Sequence, residues 1–158
     1  PALMAKAYLS LGSNERPEHY LALAVQALRD TFGDVIVSDW VQTKAVGFDG
    51  PDFINGAAII ETDWDVYRLN DWLHALEDAN GRRRDVPRFS NRTLDIDIIF
   101  FDDLILQGPG NLQIPRPELK HAFVLGPLAQ IAPDYVNPET GLTLAEILGF
   151  NALIQSNL

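Results

Sequence analysis

Apolar residues recur along this chain at two spacings, and the switches between them outline the fold. The stretch KAYLSLGSN places Ala7, Leu9 and Leu11 on one face of a strand, because side chains on extended backbone alternate between faces. Pro17, suited to a first helical turn, then opens a segment in which Leu21, Ala24, Val25 and Leu28 recur at helical spacing until Gly33 stops it. VIVSDWVQT (35–43) reads as one continuous second strand, TKAVGFDGPD (43–52) as a loop rich in Gly and Pro, and FINGAAIIET (53–62) as a third strand. Leu69, Trp72, Leu73 and Leu76 mark a second helix, with Gly81 as its C-terminal cap.

An arginine-rich loop follows, and then RTLDIDIIFFDD (92–103) alternates strictly. That alternation predicts Leu94, Ile96, Ile98 and Phe100 on one side of a strand, with Asp95 and Asp97 sharing the other side with Ile99 and Phe101. LILQGPGNLQIP (104–115) reads as a hairpin turned by Gly-Pro-Gly-Asn. AFVLGPLAQIAP (122–133) reads as an apolar helix in which Pro127 marks the first turns or a kink, and a short last helix covers 142–148. The order βαββαβ predicts an α+β domain: a ferredoxin-like core, its mainly antiparallel sheet covered by helices, with an extra hairpin and helices at the C-terminal end. No repeat or linker interrupts it, so residues 1–158 are expected to form a single domain.

Composition narrows the function classes. Hydrophobic content of 47% with 22% charged residues is ordinary for a globular protein, and no apolar run approaches the roughly 20 residues a membrane span needs. The absence of cysteine excludes a disulfide framework and thiolate metal sites, and fits a cytoplasmic protein. A net charge of −10 argues against general nucleic-acid binding. Five of the twelve basic residues nevertheless fall between Arg82 and Arg92 (Arg82, Arg83, Arg84, Arg88 and Arg92). Such a local basic loop suits a small polyanion, or else balances acidic neighbours. Small-molecule substrates and a monomer are expected.

Asp95 and Asp97 carry the chemistry. At ~3.3 Å per residue their Cα atoms lie about 6.6 Å apart, and two carboxylates at that spacing repel by about 2.5 kcal/mol at an effective dielectric of 20. A hard divalent cation relieves this, since Mg²⁺ takes a few carboxylate oxygens and completes its shell with water and phosphate. Nearby arginines would serve the same charge balance without any chemistry, and Arg92 is near enough in sequence to do so. Joined to the arginine run, the pair points to phosphoryl-type transfer, in which cations stabilise charge on a bridging oxygen. There is no Walker-type phosphate loop. Gly-Ser-Asn (12–14) reads as a strand-to-helix turn with Asn14 available as a cap, and His19, His74 and His121 lack metal-ligand spacing.

LSLGSN, T-x-A-V-G (43–47), PDFIN (51–55), the stretch from Glu77 through G-R-x-R (81–84), RTLDIDIIF (92–100) and FVLGPLAQIAPD (123–134) together resemble the 6-hydroxymethyl-7,8-dihydropterin pyrophosphokinase family of folate biosynthesis. The resemblance runs over roughly residues 6–150, and RTLDIDIIF is its most specific part. It implies transfer of the terminal pyrophosphoryl group of ATP, the co-substrate, to the pterin hydroxymethyl oxygen with two Mg²⁺ ions. By resemblance, Asp95 and Asp97 are the metal ligands, and Arg82, Arg92 and Asp97 the catalytic residues; whether Asp97 also takes the hydroxyl proton stays open. Phe53 and Phe123 match the rings that sandwich the pterin, Asn55 the residue that bonds its edge, and Thr43 and Val46 positions lining that pocket. His74, Glu77, Arg84, Arg88, Ile98, Arg116, Lys120 and His121 fall on the nucleotide side.

Two departures stand out. Phe89 replaces a commonly found Trp. PRPELKHAF (115–123) is one residue short and carries Arg116 where a nucleotide-contacting His is usual, with Lys120 or His121 in place of a missing basic residue. The alternatives to a pyrophosphokinase are a non-catalytic pterin- or nucleotide-binding paralogue, and a ferredoxin-like interaction domain whose acidic strand only pairs with arginines.

Overall fold

The computed structural model describes residues 3–45, 47–81 and 91–156. Its sheet contains β1 (Ala5–Ser13), β2 (Ile36–Val37), β3 (Val41–Thr43), β4 (Phe53–Thr62) and β5 (Asp95–Phe101). The strands run in the order β2-β4-β1-β5, with β3 also on β4 and every pairing antiparallel. Helices α1 (Pro17–Phe32) and α2 (Val66–Ala79) make the two crossovers, which gives the expected ferredoxin-like core. A small hairpin of β6 (Leu106–Gln107) and β7 (Gln113–Ile114) follows, turned at Pro109–Asn111. Then come α3 (Ala122–Ile131) and α4 (Leu144–Ser156).

Alternation along the strands builds two cores. Ala7, Leu9 and Leu11 of β1, with Ala58 and Ile60 of β4, face α1 and α2, meeting Leu21, Ala24 and Leu28 of one helix and Leu69 and Leu73 of the other. Tyr8, Ala57 and Ile59 face the opposite way, towards Val124, Leu125 and Leu128 of α3 and Leu144 of α4. Each buried Leu or Ile contributes about 1.5–3 kcal/mol relative to exposure. Helix ends behave as their sequences predict: Gly33 and Gly81, with φ of 86° and 87°, lie just beyond α1 and α2, and Asp65 caps the start of α2 by accepting from Arg68 N–H at 2.8 Å. Thr143 and Glu146 exchange side-chain-to-backbone hydrogen bonds at 3.1 Å and start the last helix. That helix is longer than predicted, reaching Ser156. Pro127 sits inside α3 rather than in its first turn.

Two β-bulges depart from the predicted pattern. The segment 35–43 is not one strand: Ile36 and Val37 pair with Ile59 and Ala58, while Val41 to Thr43 pair with Asn55 to Phe53, so three residues oppose Gly56 and Ala57. The Ser38 hydroxyl takes over the ladder there, accepting from Ala57 N–H at 2.8 Å. Trp40 lies over Gly56 so closely that a Cβ at that position would collide with the indole. The second bulge is in β5. Leu9 pairs with Ile98 and Tyr8 with Phe100, which leaves Ile99 as the extra residue. Strict alternation therefore fails after Ile98. Phe100 joins Ile99 in the α3-side core, and Phe101 packs on the helix-α1/α2 side, the reverse of the predicted assignment.

Candidate active site

The strand ends converge at one edge of the sheet. Gly12 of β1 stands between Asn55 of β4 and Asp95 of β5. A cleft of about 670 Å³ opens there, bounded by α2 on one side and by the 110–123 segment on the other. Of the sequence-predicted residues, Thr43, Phe53, Asn55, His74, Glu77, Arg92, Asp95, Asp97, Arg116, Lys120, His121 and Phe123 all line it. Arg82, Arg84, Arg88, Phe89 and Val46 lie outside the described residues. The Ile98 side chain is turned by the strand alternation into the α1/α2 core, 1% exposed, so only its backbone is left for the nucleotide side.

Asn55 is buried, and its amide donates to Thr43 Oγ1 at 3.0 Å. The close fit requires Gly12, because a Cβ there would come within 2.7 Å of Asn55 Oδ1. The Phe53 ring meets Phe48 edge-on at a centroid distance of 6.4 Å, and Phe123 is stacked by His121 at 4.9 Å with 7° between the planes. This side of the cleft is aromatic with one fixed amide, a combination that binds a flat heterocycle by area and reads its edge by hydrogen bonds.

On the other side, Asp97 and Arg116 form an ion pair at 3.6 Å, and Arg116 Nε donates to Glu118 at 3.1 Å. The cation paired with Asp97 thus comes from 19 positions along the chain. Arg92 is buried at the end of a hydrogen-bonded turn: Asn14 Oδ1 accepts from its N–H at 2.7 Å, and Asn14 N–H donates to its carbonyl at 3.0 Å. The Asn14 amide also donates to Pro51 O at 3.1 Å and Asn91 Oδ1 at 2.9 Å. Asn14 thus clamps three segments of the site and does not cap α1, whose N-cap is Arg16. Glu77 is 2% exposed, and its Oε2 accepts from Ile96 N–H at 3.0 Å, fastening the open edge of β5 to α2.

Burial and the neighbouring Asp95 push the Asp97 carboxyl up to about 8, although Arg116 pulls the other way. Ionising both aspartates side by side is therefore costly in the metal-free site, and a hard divalent cation, which offsets that cost, fits the donor set. Among the described residues no group of three or more His, Cys, Asp or Glu has metal-binding geometry, so two carboxylates would be supplemented by water and phosphate oxygens. Sequence reasoning missed Asn14 as a clamp, Phe48 beside Phe53, and Glu118 as the partner of Arg116. Only Asn14 had a signal, its place in the resembling LSLGSN run.

No helix among the described residues is long and apolar enough to cross a membrane. Residues 8–133 match the family described as 7,8-dihydro-6-hydroxymethylpterin-pyrophosphokinase. The chain is 36% identical over 142 residues to the 2-amino-4-hydroxy-6-hydroxymethyldihydropteridine pyrophosphokinase of Haemophilus influenzae, covering 87% of this chain and 88% of the relative. It is 35% identical over 151 residues to the protein of the same name from Pseudomonas aeruginosa, with 92% and 91% covered. The match to the Synechocystis protein of that name is 38% over 112 residues, 70% of this chain and 56% of the relative. The chain therefore belongs to the 7,8-dihydro-6-hydroxymethylpterin-pyrophosphokinase family.

Proposed function

We propose that this protein transfers the terminal pyrophosphoryl group of ATP to the hydroxymethyl oxygen of 6-hydroxymethyl-7,8-dihydropterin, giving AMP and the pterin pyrophosphate for folate biosynthesis. Family membership supports this reading. The observation that carries it is that the aromatic pocket with its fixed Asn55 amide and the Asp95–Asp97 pair open into the same cleft.

In the reaction the hydroxymethyl oxygen forms a bond to the β-phosphorus. The bond from that phosphorus to the oxygen bridging the α-phosphate breaks, AMP leaves with that oxygen, and the hydroxyl gives up its proton. The substrate oxygen is itself the nucleophile, so catalysis rests on alignment and charge stabilisation. Phe53 and Phe123 hold the pterin plane, and Asn55, steadied by Thr43, reads its edge. Asp95 and Asp97 would hold two Mg²⁺ ions, which when bound neutralise phosphate charge and polarise the reacting phosphoryl group. Arg92 and the loop arginines Arg82, Arg84 and Arg88 supply positive charge for the bridging oxygen as AMP departs, while His74, Arg116, Lys120 and His121 face the nucleotide. In this reading the protein acts as a cytoplasmic monomer.

Incubating the protein with ATP, MgCl₂ and the hydroxymethyldihydropterin should release AMP in step with pterin pyrophosphate. Binding of both substrates with no AMP after long incubation would overturn the proposal.

A further inference from the structure

The Arg116–Asp97 ion pair is a departure with a mechanical consequence. Three features hold the guanidinium beside the aspartates. The β5 bulge releases the Ile99 carbonyl from the ladder, and that carbonyl accepts from Arg116 N–H at 3.2 Å, so the backbone of residue 116 is anchored to the strand that carries Asp97. The side chain then reaches Asp97 Oδ1 at 3.6 Å from one side. From the other, Glu118 engages Nε at 3.1 Å and Nη2 at 3.5 Å. Both side chains of the Asp97 pair are largely withdrawn from water, at 23% and 27% exposed. A guanidinium 3.6 Å from a carboxylate oxygen supplies there the positive charge that a metal ion would bring and stands in its approach, so the two cations compete for Asp97.

We infer that Arg116 is the built-in counter-ion of the metal-free site, held beside Asp97 by its bonds to Glu118 until a divalent cation takes its place there. The inference rests on the pyrophosphokinase reading, in which Asp95 and Asp97 hold the metal. Glu118 already bonds the guanidinium, so the arginine keeps a charged partner when it gives up Asp97. The exchange lowers the affinity of the free protein for metal and makes Arg116 a positioning residue that acts through Asp97.

The test is Mn²⁺ binding to the full chain without nucleotide, followed by electron paramagnetic resonance, with wild type, Arg116→Gln and Asp97→Asn compared. Arg116→Gln should bind Mn²⁺ about five- to tenfold more tightly, and the ratio should persist in 0.5 M KCl, where a long-range charge effect is screened but a contact is not. Asp97→Asn should lose the binding in both arginine backgrounds. In the wild type, the Arg116 Nε–H resonance should shift on Mg²⁺ addition, with the midpoint of metal binding. Equal affinities, a ratio that vanishes in salt, or an unmoved Arg116 resonance would overturn the exchange while leaving the metal site standing. Failure of both wild type and Arg116→Gln to bind Mn²⁺ would overturn the metal site and the exchange with it.

Discussion

Gly12 shows how a single missing atom can set a binding site. Its neighbour across the sheet, Asn55, occupies the space in which a Cβ would stand 2.7 Å from the amide oxygen. Gly12→Ala leaves the strand pairing possible but must push the amide off Thr43. The pterin KM should rise about tenfold, with a much smaller change in Tm, because interiors packed this closely transmit sub-ångström shifts. Steady-state kinetics beside a thermal melt would separate the two effects. Asn14 works differently, by holding Pro51, Asn91 and Arg92 through one carboxamide. Asn14→Ala leaves the buried Arg92 N–H unpaired and should cost about 1–3 kcal/mol in chemical unfolding. It should also lower kcat, whereas Asn14→Asp, which keeps the acceptor, should recover part of the stability. Both residues fall in the resembling LSLGSN run, yet the contacts each makes were not legible there. Asn14 is 78 positions from Arg92, and no local pattern reports a partner so distant.

At the scale of elements, β5 pairs with β1 on one side only, and its outer edge is covered by side-chain and loop contacts. Its N-terminal half is fastened to α2 through the Glu77 carboxylate and its C-terminal half to residue 116 through the Ile99 carbonyl. Glu77→Ala should destabilise the protein by about 1–3 kcal/mol through the orphaned Ile96 N–H. Glu77→Gln, which retains a side-chain oxygen, should lose less, and denaturant unfolding of the two variants would rank them. The elements themselves were largely legible. Leu21, Ala24, Val25 and Leu28 gave α1 by spacing alone, and the βαββαβ order led to the sheet topology. The bulges were not legible, since inserting one residue into a pairing leaves the apolar content of a strand unchanged. Ile99, Phe100 and Phe101 are all apolar, and nothing in their identities reveals which way each one turns.

Across the whole molecule, assembling the site strains its electrostatics. With the Asp97 carboxyl pushed from an ordinary 3.8 up to about 8, the folded protein holds a proton that the unfolded chain has lost between those pH values. More protons are then bound in the folded state, so this group's contribution to stability falls as pH rises through that window. In metal-free buffer, Asp97→Asn should melt progressively higher than wild type as pH goes from 5 to 8. Addition of MgCl₂ at pH 8 should raise the Tm of wild type but not of the variant. The site as a constellation was legible only in part, because charge and spacing singled out Asp95 and Asp97 while the pocket across the cleft rested on resemblance.

The indole laid over Gly56 has a practical corollary. Trp40 is 40% exposed and one residue before Val41, the cross-strand partner of Asn55, whereas Trp64 and Trp72 cluster with Phe32 on the far helical side. The molecule thus carries its own optical reporter: emission from Trp40 should respond to pterin occupancy while the other two indoles supply a constant background, so ligand titrations need no attached dye.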